Sequence, residues 1–371
     1  MHVTRLAMGD FRRFDSVEIA PGPGLNLLLG PNGAGKTSVL EALHLMAYGR
    51  SFRGRVRDGL VREHAQALEV FVEWEEAGGP GELRRRAGLR HSGQGWTGRL
   101  DGQDVAHLGQ LCAALAVVTF EPGSHALIAG GAENRRRFLD WGLFHVEPDF
   151  LALWRRYARA LKQRNALLKA GGSTGQLDAW DRELADAGEG LTAFRERYLS
   201  ELVAPVRELG ARLAHGLELG GLDFHPGWRR QDLSLADALL LARERDRLSG
   251  HTGVGPHRAD WSLALPGLPG REALSRGQTK LAALVVLLAQ AGDYAARRGQ
   301  WPVIALDDLP SELDRLHQAR VLEYLCGPLQ RNLALTSQEI DNTLAALGGR
   351  FVEPGPAGAP PSGTGDILPT G

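Results

Sequence analysis

Leu25-Asn-Leu-Leu-Leu29, Gly30-Pro-Asn-Gly-Ala-Gly-Lys-Thr37 and Ser38-Val-Leu-Glu-Ala-Leu-His-Leu-Met46 follow one another without a break. The first segment is a short continuous apolar run and reads as a buried strand. In the third, Val39, Leu40, Leu43 and Met46 recur at helical spacing, and Gly49 is placed to end the helix. Upstream, Val17 and Ile19 alternate in strand fashion before the turn residues Pro21-Gly-Pro-Gly24. Between strand and helix, Gly30, Gly33 and Gly35 leave the backbone free to wrap a polyphosphate, with N–H groups and a helix N-terminus turned toward its charge. Lys36 supplies a point charge for the β- and γ-phosphates, and Thr37 a hydroxyl for Mg²⁺. Gly30, Pro31, Asn32, Gly33, Ala34, Gly35, Lys36 and Thr37 are therefore candidate nucleotide-binding residues, and the fold class is α/β.

Composition sets milder bounds. The 371 residues leave room for about two domains, and 43% hydrophobic content is enough for a sizeable core. The start, Met-His-Val-Thr-Arg-Leu-Ala-Met-Gly-Asp, has no apolar run after a basic segment, so no signal peptide is expected. The longest apolar stretch, Leu281 to Ala289, is well short of the roughly 18 residues of a membrane span. A cytoplasmic protein with no membrane partner is expected. Cys112 and Cys326 lie far apart, outside any Cys-x-x-Cys or Cys/His cluster, which fits a reducing compartment and argues against structural zinc. A net charge of −1 gives no overall footprint for nucleic acid, so any DNA contact must come from local basic surface. No Ser-His-Asp or metal-ligand spacing emerges.

Val303-Ile-Ala-Leu306 is a second buried strand, and it ends in Asp307 and Asp308. Two acids there suit the other half of a phosphate site: Asp307 toward Mg²⁺, Asp308 orienting or activating the attacking water. Leu274-Ser-Arg-Gly-Gln278 opens a long apolar helix; alone it would be a helix cap at Ser275. Together with the other two segments it resembles the signature motif of ABC-type ATPases. That resemblance implies that Ser275, Arg276, Gly277 and Gln278 bind the γ-phosphate held by an opposite subunit. Lys36 and Asp308 are then catalytic, Thr37 and Asp307 hold the metal, and ATP hydrolysis is completed in trans across a homodimer. Asp314, seven positions after Asp307 (314 − 307), fits the dimer-contacting loop of that superfamily. Thr336 follows the apolar Leu333-Ala-Leu335 where a γ-phosphate sensor often sits.

Residues 147–215 change character, with Leu151, Trp154, Ala158, Leu161 and Leu168 at helical spacing and Gly171-Gly-Ser-Thr-Gly175 as a turn. They read as an inserted lobe of antiparallel helices. The expected architecture is an ABC-type ATPase head, with a mixed β core, from residues 1–146 and 216–352. Strand-like pieces recur near Gly221 to Trp228 and Asp260 to Leu265, and residues 353–371, rich in Pro and Gly, read as a disordered tail.

Four further segments narrow the resemblance: Gly49-Arg-Ser-Phe-Arg53, Asn134-Arg-Arg-Arg-Phe-Leu-Asp140, Tyr157-Ala-Arg-Ala-Leu-Lys-Gln-Arg-Asn165 and Gly255-Pro-His-Arg-Ala-Asp260. In order and type, to about residue 352, the chain resembles the RecF family of bacterial DNA-repair ATPases related to SMC proteins. The resemblance implies a two-lobed head, ATP-dependent dimerisation, weak ATPase activity and binding to double-stranded DNA near gaps. It also implies work with RecR and RecO to direct RecA, in DNA replication, recombination and the SOS response to damage. Phe120-Glu-Pro-Gly-Ser124 departs from the family in lacking an acidic pair after the proline, and the segment around Thr336 is atypical.

Candidate DNA contacts are Arg50, Arg53, Arg55 and Arg57 in one segment, Arg135, Arg136 and Arg137 in another, and Lys162 with Arg164 on the inserted lobe. His257 and Arg258 follow a Gly-Pro turn and read as structural or as a subunit contact. Two alternatives share the motifs: an ATPase subunit of a membrane transporter, and a nucleotide-dependent scaffold without essential turnover. The 238 positions between Thr37 and Ser275 (275 − 37) weigh against the first.

Overall fold

The computed structural model describes residues 1–54, 59–78, 81–326, 333–337 and 350–352. Arg55, Arg57 and the 353–371 tail lie outside them. The chain divides into two compact units, Met1–Ser124 with Arg212–His215 and Arg276–Gly371, and His125–Ala211 with Gly216–Ser275.

The first unit begins with β1 (His2–Phe11), β2 (Phe14–Ile19) and β3 (Leu25–Leu29), then α1 (Lys36–Tyr48). β4 (Leu68–Gly78), β5 (Gly81–His91), β6 (Trp96–Leu100), β7 (Gln103–Asp104), α2 (Gly109–Ala114) and β8 (Val117–Phe120) follow. One sheet is antiparallel throughout, in the order β2-β1-β4-β5-β6-β7. Its inner face comes from alternation: Leu68, Val70, Val72 and Trp74 are buried. Between them Glu69, Glu73 and Glu75 stand directly opposite Arg90, Arg86 and Arg84, the pairing of opposite charges that stabilises two-stranded ribbons. A register shift between Val3 and Arg5 sets the three-residue step from buried Val3 to buried Leu6.

The second unit contains α3 (Ala126–Ala129), α4 (Ala132–Val146), α5 (Phe150–Ala170), α6 (Thr174–Leu213, whose end belongs to the first unit), β9 (Leu222–His225), α7 (Leu235–Ser249) and β10 (Asp260–Leu263). The chain then returns to the first unit with α8 (Arg276–Arg298), β11 (Val303–Leu306), α9 (Leu309–Glu312), α10 (Arg315–Cys326), β12 (Leu333–Ser337) and β13 (Arg350–Val352). These strands complete a parallel sheet in the order β13-β3-β12-β11-β8. Strands of parallel sheets are covered on both faces and read as unbroken apolar runs; all four residues of β8 and of β11 are buried. Helices α1 and α8 lie against β8. The expected α/β class with a nucleotide-loop head is what the chain adopts.

The second unit is larger than the expected 147–215 lobe, because side chains from both flanks are bonded into it. Arg195 of α6 grips Asp140 of α4 through Nε (2.8 Å) and Nη2 (2.9 Å), and donates to the Pro256 carbonyl (2.8 Å). Trp261 Nε1 of β10 donates to the Arg135 carbonyl at 3.0 Å. The turn at Gly171 makes α5 and α6 antiparallel. Arg164 meets Asp181 whereas the earlier Arg156 meets the later Glu183, and a Cβ on Gly190 would lie 2.9 Å from Leu153.

Two candidate DNA contacts are corrected by this packing. Arg164 is fully buried, donating Nε to Asp181 (2.5 Å) and Nη1 to Asp246 (2.7 Å) and Thr252 (2.9 Å). Arg135 is buried too, donating to both oxygens of Asp260 at 2.6 and 2.9 Å and to the Gly130 carbonyl at 2.7 Å. Both guanidiniums are buried inside the second unit and cannot face a duplex. His257 is likewise structural. Nε2 donates to the Thr252 carbonyl (2.9 Å), so Nδ1 of the neutral ring accepts from Tyr157 Oη (2.7 Å). Among the described residues, no helix is long and apolar enough to cross a membrane.

Arg164→Ala leaves Asp246 buried without its counter-charge and Asp181 with Arg243 alone, and is expected to destabilise the fold by about 3 kcal/mol or more in denaturant titration; an unchanged midpoint would contradict the role given to the cluster. Burial lowers the His257 pKa to about 4, so unfolding takes up a proton once pH falls below the unfolded-chain value near 6.5. Stability from this residue is complete above that value and is lost as pH falls toward 4, about 2 kcal/mol of it by pH 5. His257→Gln should flatten that part of the stability–pH curve.

Candidate nucleotide-binding site

Parallel pairing decides where the motif residues emerge. Leu306 of β11 is level with Leu335 of β12, and Leu335 with Leu27 of β3. Gly30 therefore leaves β3 and Asp307 leaves β11 at the same C-terminal edge, where open parallel sheets present ligand sites. Thr336 occupies the next register position on β12, opposite Leu28 of β3. Its backbone is thus at that edge between the two strands; its side chain is outside the described residues.

The loop after β3 is shaped by glycine. Gly30, Gly33 and Gly35 all have positive φ, 147°, 77° and 99°. At Gly35 the requirement is double, since a Cβ would also lie 2.3 Å from Cζ of Phe14. The Ala34 N–H closes the loop onto the Pro31 carbonyl (3.1 Å), while Ser38 and Val39 N–H groups return to Gly35 O at 2.9 and 3.2 Å to start α1. Lys36, buried along its stem, donates Nζ to the carbonyls of Gly30 (2.6 Å) and Pro31 (3.1 Å). Gly49 ends α1 in the left-handed conformation, its N–H on Leu45 O at 2.9 Å.

Thr37 Oγ1 donates to Asp307 Oδ1 at 3.0 Å, across 270 residues of sequence. Asp307 is almost wholly buried and its N–H is held by the Phe120 carbonyl at 2.8 Å. A hydroxyl and a carboxylate side by side are the hard oxygen donors that Mg²⁺ takes, so these residues fit the metal that the motif implies. Asp308 adopts the left-handed region at φ 52°, and Ser311 Oγ donates to its Oδ2 at 2.6 Å.

Arg12, Arg13, Asn32, Gly33, Gly35, Lys36, Thr37, Ser38, Arg53, Asp307 and Asp308 line one cleft of about 320 Å³. Its four cations, Arg12, Arg13, Lys36 and Arg53, outnumber the carboxylates Asp307 and Asp308, the balance a polyphosphate with its metal requires. Arg12 and Arg13 stand at the tip of the β1–β2 hairpin and are not picked out by motif spacing. The available signal is Asp10-Phe-Arg-Arg-Phe-Asp15, two adjacent arginines between strand-like segments. Arg53 lines the same cleft, which gives it a place in the nucleotide site that a surface DNA contact does not need.

The remaining candidates lie elsewhere. Ser275, Arg276 and Gly277 are exposed at the start of α8 and contribute nothing to the cleft lining. Asp314 is exposed and caps α10, accepting the His317 N–H at 3.0 Å and pairing with its ring at 2.6 Å; the backbone N–H holds its carboxyl below the usual range. Glu121 and Ser124 close a turn after β8, Ser124 Oγ accepting the Glu121 N–H at 2.9 Å. Arg50, Arg137 and Lys162 are exposed, Arg137 paired with Glu133 one helical turn away; Arg136 is half-buried and donates to the Ala259 carbonyl at 2.7 Å.

The sequence pattern of the RecF/RecN/SMC N terminal domain matches residues 2–337. The DNA replication and repair protein RecF of Stenotrophomonas maltophilia (strain R551-3) is 70% identical over 329 residues, 88% of this chain and 90% of that protein. Its counterpart in Xanthomonas axonopodis pv. citri (strain 306) is 69% identical over 328 residues, 88% and 89% of the two chains. The solved structure of the recombination mediator protein RecF with ATP, in the RecFOR pathway, superposes with a TM-score of 0.84 over 95% of each chain at 24% identity, a likeness of fold. On its loop, its paired strands and these relatives together, the chain belongs to the RecF family of DNA replication and repair proteins.

Proposed function

We propose that this chain is a DNA-binding ATPase of recombinational repair, in which ATP closes a homodimer on double-stranded DNA near gaps and hydrolysis reopens it. The observation that carries the reading is the Thr37–Asp307 bond, which joins the phosphate loop to the acidic strand end as one metal and phosphate site. Thr37 and Asp307 would hold Mg²⁺, which would supply charge neutralisation for the transferring phosphoryl group. The loop glycines offer backbone N–H groups to the phosphates, Lys36 exchanges its loop carbonyls for phosphate oxygens, and Asp308 orients the attacking water. Ser275 to Gln278 of a second copy complete the cage. The exposure of Ser275, Arg276 and Gly277, and the absence of all four residues from the cleft lining, support a role in trans. Asp314 joins the dimer contact, and Thr336 senses the γ-phosphate from β12.

On this reading the protein is cytoplasmic and acts with RecR and RecO to direct RecA, as the RecFOR pathway of the solved relative suggests. Arg50, Arg137 and Lys162 are the exposed cations proposed to meet DNA phosphates, together with half-buried Arg136. Weak turnover fits a switch better than a motor.

Lys36→Ala is expected to abolish Mg–ATP-driven dimerisation in sedimentation, and Asp308→Asn to trap the dimer; normal hydrolysis by Asp308→Asn would remove Asp308 from its role. Anisotropy of a labelled gapped duplex, with and without Mg–ATP at two salt concentrations, tests the clamp directly. ATP-dependent, salt-sensitive binding is expected, and no binding in either state would sink it. Arg50→Glu with Lys162→Glu should weaken that binding and lower its salt slope by about 1 for each DNA phosphate that is no longer neutralised.

A further inference from the structure

Among its described residues, the first unit buries one carboxylate that the proposed chemistry does not use. Glu41 lies on α1 four residues after Thr37, on the same face one turn along, and none of its surface is exposed. Arg12 grips it with both ends of its guanidinium, Nε at 2.9 Å and Nη2 at 2.6 Å. Ser51 Oγ donates to the same carboxylate, and accepts the Arg53 N–H at 2.9 Å. Arg53 Nη1 stands 3.9 Å away, its side chain 48% exposed against 16% for Arg12. Both arginines line the nucleotide cleft; Glu41 does not.

We propose that Glu41 is a positioning residue for the polyphosphate site, holding Arg12 from the β1–β2 hairpin and Arg53 from the segment after α1 where their charge meets the nucleotide. This rests on the ATP-binding reading given above. A buried carboxylate is costly unless paired, and a packed apolar residue would serve stability at least as well. What the charge adds is geometry: one rigid helix position fixes two cations brought from different loops. Arg12 is locked by the bidentate fork. Arg53 is fixed at its backbone through Ser51 and attracted at its tip without a hydrogen bond, so its guanidinium stays available to phosphate oxygens.

The test is calorimetric titration of Mg–ATP into the full chain and its variants, with thermal unfolding confirming that each is folded. Glu41→Gln is expected to weaken binding about tenfold. In an Arg12→Gln/Arg53→Gln background the same change should have an effect of less than about twofold, because the groups it positions are gone. Wild-type affinity in Glu41→Gln, or the full loss persisting in that background, would overturn the proposal. Should Glu41→Gln alone not fold, Glu41→Gln/Arg12→Gln leaves no orphaned charge; it should bind several-fold more weakly than Arg12→Gln, and equal binding would refute the role. If the wild type itself fails to bind Mg–ATP, the nucleotide reading falls and this proposal with it. Normal wild-type binding with indifferent variants removes only Glu41.

Discussion

The parallel pairing of β3, β12 and β11 is the constraint on which the rest depends. It places Leu27, Leu335 and Leu306 in one row, and the motif residues of the cleft follow from what each strand carries next. β3 delivers glycine, β12 delivers Thr336 and β11 delivers two aspartates. A slip of two residues along β11 would move Asp307 by about 6–7 Å and break its 3.0 Å bond with Thr37. The apolar filling of these strands thus has a functional consequence: burying all four residues of β11 fixes the depth at which its acids emerge.

Charge is handled in opposite ways in the two units. In the cleft of the first, cations outnumber carboxylates, and the surplus is open to an anionic ligand. In the second, Arg164 and Arg243 pair with Asp178, Asp181 and Asp246 among α5, α6 and α7, with Arg243 reaching Asp178 and Asp181 at 2.6 Å each. An arginine-rich sequence is therefore no guide to a basic surface. On the proposed reading, the same residue type faces a ligand in the cleft and locks helices together in the second unit.

That distinction marks the limit of what was legible in the amino-acid order. Strand, loop and helix around Gly30 to Thr37 were readable because a periodic pattern and an unusual glycine spacing coincide there. The aspartates after β11 were readable because an apolar run isolates them. Arg135 and Arg164 were misread because Asp260 lies 125 residues from the first and Asp246 lies 82 from the second, distances over which sequence carries no pairing signal, and Asp181, 17 residues from Arg164, stands on the next helix. The boundary of the second unit moved for a similar reason: bonds such as Arg195 to Asp140 attach flanking segments that have no compositional mark of their own. The β4–β5 ribbon, by contrast, has a plain alternation from Leu68 to Trp74, a strand signal with no chemical motif attached to it.

Glycine at position 35 shows how tightly the cleft is built on the hairpin beside it. The Phe14 ring occupies the space a Cβ would need, and the same turn carries Arg12 and Arg13 into the lining. The phosphate loop, the arginines and the start of α1 are thus fixed against one another before any ligand arrives, which keeps the ordering cost of binding low. The start of α8 makes no such contribution and remains exposed. On the proposed reading, that contrast separates two steps: a preorganised half-site that captures the nucleotide in one chain, and a γ-phosphate contact that requires a second. Affinity for ATP then belongs to the monomer. The dimer adds a further γ-phosphate contact to those proposed for Lys36 and Thr336, so closure is coupled to ATP rather than ADP by the terminal phosphate.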